Sequence, residues 1–147
     1  MFTNEDALAM FKQGFNCSQI VVSHFAPRLG LDQDVALKIA SGFGAGMGRM
    51  AHICGAVTGA FMVLGLKFGY CDDVSADSKE DIYGRAQKFA EEFKAKHGFI
   101  MCRDLLGVDI SNPAGYAEAK ERSLFRTACP LYVSDAISIL AKTIDKR

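Results

Sequence analysis

Neither sign of charge is in excess in this chain: Lys plus Arg and Asp plus Glu number 17 each in 147 residues. The basic residues are scattered, which argues against a nucleic-acid-binding surface. The uncharged stretch Ile53–Leu66 is shorter than the roughly 20 residues that crossing a membrane requires, and no membrane insertion is expected. There is no C-x-x-C, which removes the signals for a thioredoxin-type motif, a zinc ribbon and covalent haem attachment. No segment alternates with period two, no internal repeat occurs, and no Ser-His-Asp grouping or pair of catalytic carboxylates stands out. The opening MFTNEDALAM carries acids where a signal peptide would have a basic segment and an apolar core, so a cytoplasmic protein is expected.

What is present is ordinary for a folded protein: 50% apolar, 10% aromatic and 23% charged residues. The length suits a single domain over 1–147 with a sizeable core. The chain is organised around 42–66, GFGAGMGRMAHICGAVTGAFMVLGL, a glycine-rich loop feeding an apolar helix that starts near Cys54. Ile53 to Leu66 holds no charge and is the length of a buried core helix. Gly55, Ala56, Gly59 and Ala60 lie three and four residues apart and give that helix a face flat enough for another backbone to approach. Each interior glycine costs up to about 1 kcal/mol relative to alanine, so packing or binding must offset it. The glycines at 42, 44, 46 and 48 fail the dinucleotide register, because the third glycine position falls on Met47 or Arg49. No strand pattern precedes them and no G-K-[ST] follows, so the run reads as a loop with left-handed backbone and not as a nucleotide site.

Around this centre the pattern predicts an all-α helical bundle. Thr3 or Asn4 caps a first helix with Ala7, Leu8, Phe11 and Phe15 on one face. Asn16 caps a second, which buries Val21, His24 and Phe25 and stops before Pro27. Asp32 caps a third with Ala36, Ile39, Ala40 and Phe43 as its stripe. Ser78 with Asp81 resembles a capping box for a helix burying Ile82, Ala86, Phe89 and Phe93, with Gly98 just past its end. A short helix runs from about Met101 to Gly107. The next stretch is read as a loop with a helical turn or two after Pro113. Cys129-Pro130 opens the last helix, with Val133, Ala136, Ile137, Leu140 and Ile144 inward.

Five cysteines in a reducing compartment argue for ligands, reactive thiols or core fillers over structural disulfides. Cys17, Cys54, Cys102 and Cys129 each fall at the start of a predicted helix, where free N–H groups and the dipole favour a thiolate. Four such placements point to one site. Cys71 follows a helix C-terminus and is left out. His52 could replace a cysteine ligand, although a cap role is the commoner one. His24 reads as a core histidine and His97 as a surface cation at a helix end. Arg49 or Arg103 could offset thiolate charge, and Thr58 reads as a packing residue.

FNCSQIVVSHF, ASGFGAGMG, CGAVTGAFMVLGLKFG, then a lone Cys102 before RDLLG and a lone Cys129 together resemble the redox-active family named for its pattern C, GCAxxG, C, C. The similarity runs from about Ala7 into the last helix, with Ile53 in place of the leading glycine of the middle motif. A similar domain in some haem cytochromes is associated with an iron–sulfur cluster. The resemblance therefore implies [2Fe–2S] ligation by Cys17, Cys54, Cys102 and Cys129 and a role in electron transfer or redox sensing. Gly44, Gly46 and Gly55 are the expected cofactor-binding residues, their amides facing cluster sulfurs. Two alternatives stay open: a thiol–disulfide protein, which needs a pair of Cα atoms within about 7 Å, and a structural zinc site. The redox partner is unidentified, and a homo-oligomer is compatible with the sequence.

Overall fold

The computed structural model describes residues 1–145. Within them the chain is all-α, as the pattern predicts, with no β-strand beyond a single bridge between Ile53 and Met101. The helices are α1 (Asn4–Lys12), α2 (Cys17–Phe25), α3 (Gln33–Ala40), α4 (Gly55–Phe68), α5 (Ala76–His97), α6 (Cys102–Leu106), α7 (Pro113–Glu121) and α8 (Cys129–Ile144).

Local chemistry sets most of these boundaries. Thr3 and Asp6 close a reciprocal capping box on α1, and Asn16 and Gln19 close one on α2. Asp32 accepts from the Val35 N–H at the start of α3. Pro130 occupies the first turn of α8, where its missing N–H is harmless. Gly98 ends α5 in the left-handed conformation that most side chains avoid.

The most extensive contact is between α2 and α4. A Cβ on Gly59 would lie 3.1 Å from the Ser18 carbonyl oxygen, so the small-residue face of α4 does receive the α2 backbone. Ser18 is fully buried in this seam, and its hydroxyl finds no hydrogen-bond partner. Helix α8 packs against α1, α2, α4 and α5 and buries Val133, Ala136, Ile137 and Leu140 among them. The run Leu124–Ile144 is long and apolar enough to cross a membrane, but much of its apolar stripe faces this core. A second, smaller core gathers Ala51, Cys102, Leu106, Ile110 and Ala119 beneath α6 and α7.

Several expectations are corrected. The cap of helix α5 is Ser75, three residues earlier than Ser78, because Asp73 accepts from both Ser75 N–H and the Ser78 hydroxyl and orders the turn. The stretch after Pro113 forms the full helix α7, capped by Asn112. Ile39 is 54% exposed. Helix α3 packs chiefly on α2, which covers only the narrow stripe of Ala36 and Ala40. His24 is exposed, held edge-on between Phe2 and Phe25, and partial burial with Arg28 nearby lowers its pKa. His97 is not a free surface cation: its Nε2 sits 2.9 Å from Asp135 Oδ2, too poorly aligned for a hydrogen bond, and its ring packs on Phe93 and Tyr132.

Candidate functional site

Four of the five cysteines line one cavity of about 220 Å³. Cys17 is the first residue of α2, Cys54 the N-cap of α4, Cys102 the first residue of α6 and Cys129 the first of α8. The cavity lies at the seam between the two cores. Cys17 and Cys54 belong to the larger, while Cys102 belongs to the smaller and Cys129 packs against it. Cys71 is exposed in the linker between α4 and α5 and takes no part.

Two of the helix starts are tied directly together. The Cys54 N–H donates to the Ile100 carbonyl at 2.9 Å and the Cys102 N–H to the His52 carbonyl at 2.6 Å, flanking the Ile53–Met101 bridge. His52 thus contributes backbone to the site, while its side chain is exposed. A third start is held by Asn16, whose side chain both caps α2 and donates to the Ser41 carbonyl.

The glycine run forms the cavity wall in an unusual backbone conformation. Ala45, Gly46, Met47, Gly48 and Arg49 all have φ between 56° and 71°, and Ala51 follows at 60°. Left-handed backbone costs a residue other than glycine about 1–2 kcal/mol, so four such residues are a large local expense. The surroundings hold them there. The His52 N–H donates to the Gly46 carbonyl at 2.9 Å, and Arg103 donates from Nε to the Ala51 carbonyl and from its terminal nitrogen to that of Met50. Gly46 is required twice, by its φ and because a Cβ would lie 2.6 Å from the His52 nitrogen.

Cys17 and Cys54 face one another in the cavity, and the backbone N–H groups of Ala45, Ser18 and Gly55 lie around the Cys17 sulfur and favour its thiolate. Cys17 is held down to about 7 against burial, with the Cys54 thiol as the largest cause. Cys54 is correspondingly pushed well above the ordinary thiol value by that partner and by burial. Burial, then the charge on Cys17, raises Cys102 to about 12, against the pull of Arg103. Cys129 is raised for the same two reasons. The site therefore favours one thiolate, on Cys17, among thiols.

Of the glycines expected to face a cofactor, Gly46 lines the cavity and the Gly55 N–H reaches Cys17. Gly44 packs against the Asn16 side chain, where a Cβ would lie 2.5 Å from its Cγ. Arg49 stands in the cavity wall with its guanidinium 4.3 Å above the ring of Tyr116. Sequence reasoning missed Ala45 as a donor and Tyr116, Phe125 and Tyr132 as walls. Only Tyr132, one residue outside the apolar stripe of α8 and bonded through its hydroxyl to the Leu105 carbonyl, carried a periodic signal.

The donor set is soft, four thiols around a largely apolar space, and such ligands suit iron–sulfur clusters and zinc. Among the described residues no three His, Cys, Asp or Glu side chains are grouped tightly enough for a single ion. Comparison with known proteins bears on the same residues. A family model described as a putative redox-active protein (C_GCAxxG_C_C) matches residues 15–143. No curated protein and no solved structure matches the chain.

Proposed function

Because the chain belongs to the redox-active family C_GCAxxG_C_C, we propose that Cys17, Cys54, Cys102 and Cys129 hold a [2Fe–2S] cluster and that the protein transfers or senses electrons. The observation that carries this reading is the convergence of four helix-start cysteines on one apolar cavity. A disulfide would need two thiols, not four around a shared space. A tetrahedral zinc ion with bonds near 2.3 Å would need its sulfurs within about 4 Å of one another.

Such a cluster would supply one-electron storage. The chain's own residues would do the rest. The N–H groups of Ala45, Ser18 and Gly55 aim at the Cys17 sulfur and would stabilise charge there. The aromatic wall from Phe11, Phe15 and Phe125 would keep water away and raise the strength of those dipoles. Four free thiols suit a reducing compartment, and we propose the cytoplasm as the setting.

Iron, acid-labile sulfide and visible absorption, measured after anaerobic purification on the wild type and on Cys54→Ser, test the proposal. Iron and sulfide in equal amounts, lost or sharply reduced in the variant, are expected. A colourless wild type with neither, and four freely titrating thiols, would remove the cluster.

One observation favours a second reading, thiol–disulfide exchange: Cys17 is a lowered thiolate in contact with the Cys54 thiol. Oxidation of the Cys17 thiolate with the Cys54 thiol would form one S–S bond, release one proton and pass two electrons to a disulfide oxidant. Mass spectrometry under non-reducing conditions distinguishes it. A Cys17–Cys54 linkage that forms and reduces reversibly in iron-free protein supports this alternative.

A further inference from the structure

We propose that Arg49 and Lys120, gathered on the ring of Tyr116, form an anion-selecting mouth to the cysteine cavity, so that small anionic molecules reach the sulfurs ahead of neutral ones of the same size. The inference rests on the cavity being the redox centre, but not on which redox group works there.

Tyr116 lines the cavity, and two cations share its ring: Arg49 Cζ at 4.3 Å and Lys120 Nζ at 5.6 Å from the centroid. Both lie within the range of attraction to an aromatic face. Arg28, Arg85 and Arg122 each have a carboxylate partner. Among the described residues no ion pair engages Arg49 or Lys120. Two cations brought together without an acid repel one another, and an incoming anion relieves that repulsion.

The backbone conformation makes the arrangement specific. Arg49 is the fifth consecutive residue with positive φ, a conformation that costs a non-glycine residue about 1–3 kcal/mol. Arg103 fixes the next two carbonyls, Met50 and Ala51, and so prevents the loop from relaxing. The strained segment therefore presents the Arg49 guanidinium at the cavity wall. Behind it the space is apolar, so the field of these cations is weakly screened on the path to Cys17.

The test compares alkylation by iodoacetate and by iodoacetamide, which differ in charge far more than in size. In both, a cysteine sulfur displaces iodide. Full-length protein is stripped of metal with a chelator and reduced, its helicity is checked by circular dichroism, and rates are read site by site by mass spectrometry. Free N-acetylcysteine supplies the intrinsic preference of a thiol, because Cys71 lies among Asp72, Asp73 and Asp77, which repel iodoacetate. The iodoacetate to iodoacetamide rate ratio at Cys17 is expected to exceed that of N-acetylcysteine by about tenfold. It should fall toward the N-acetylcysteine value in the Arg49→Gln, Lys120→Gln double variant, and in 1 M salt, where screening acts over about 3 Å. A ratio equal to that of N-acetylcysteine, a ratio unchanged in the folded variant, or no reaction of either reagent at Cys17 would each overturn the proposal. Absence of iron and sulfide would remove the cluster while leaving this ratio intact, so the two failures are distinguishable.

Discussion

Replacing Gly55 by alanine tests how α4 meets α2 and whether that seam places the reactive sulfur. A Cβ at Gly55 would overlap the Cys17 sulfur and lie 3.0 Å from the Ser18 nitrogen and 3.2 Å from the Phe43 carbonyl oxygen. The last two are backbone atoms of separate segments, so no rotamer change relieves both. Overpacking of this kind costs about 1–3 kcal/mol. Alanine returns at most about 1 kcal/mol of helix propensity, and less in the first turn. A net loss of about 1–2 kcal/mol follows, which lowers Tm by roughly 2–8 °C in a chain of this size. Gly65 lies in the same helix with nothing within 4 Å of its Cβ position. Alanine there should stabilise by about 0.5–1 kcal/mol and raise Tm by a few degrees. Thermal unfolding of the two metal-free variants by circular dichroism, with a thiolate titration of each, makes the comparison. If Gly55→Ala is as stable as Gly65→Ala and Cys17 ionises as in the wild type, the close seam described here is wrong.

Ultraviolet titration of the metal-free chain should show one thiol ionising near pH 7, and Cys54→Ala should move it upward by removing the donor. The sign of the linked stability follows: the lowered Cys17 contributes fully above its unfolded value of about 9 and loses its contribution as pH falls through about 7. The raised thiols of Cys54, Cys102 and Cys129 contribute below about 9 and lose it as pH rises beyond. The cysteine contribution to denaturant midpoints should therefore rise from pH 7 to about 9 and then fall. Arg103→Met should cost about 1–2 kcal/mol and speed amide exchange across 45–52, because two carbonyls lose a charged donor. Unchanged exchange there would separate Arg103 from the strained loop. Ser18→Ala should be neutral or stabilising by up to about 1 kcal/mol, since the buried hydroxyl has no partner. A larger loss would mean that a partner exists.

Helix starts and ends were legible because capping is decided within one turn. Asn16, Asp32 and Gly98 perform the roles their chemistry predicts. The small-residue face of α4 was legible for the same reason, since Gly55 and Gly59 share it by helical period alone. Where two local signals competed, as between Ser75 and Ser78, the choice fell to the Asp73 side chain, which no periodicity weighs. Exposure was less legible. Ile39 obeys the helical period yet stays in solvent, because α3 is covered on one narrow side only.

The sequence by itself determined most of the helices, the positions of four cysteines at their starts and the family pattern that links them. Each of these depends on residues a few positions apart or on order along the chain. Tertiary structure alone decided that the four cysteines share one cavity and that Cys17 and Cys54 lie close enough to couple their ionisation. It also decided that Ala45, Met47, Arg49 and Ala51 follow the glycines into left-handed backbone. Those outcomes depend on distances between segments far apart in sequence and on a backbone strain that only distant contacts, such as those of Arg103, can hold in place.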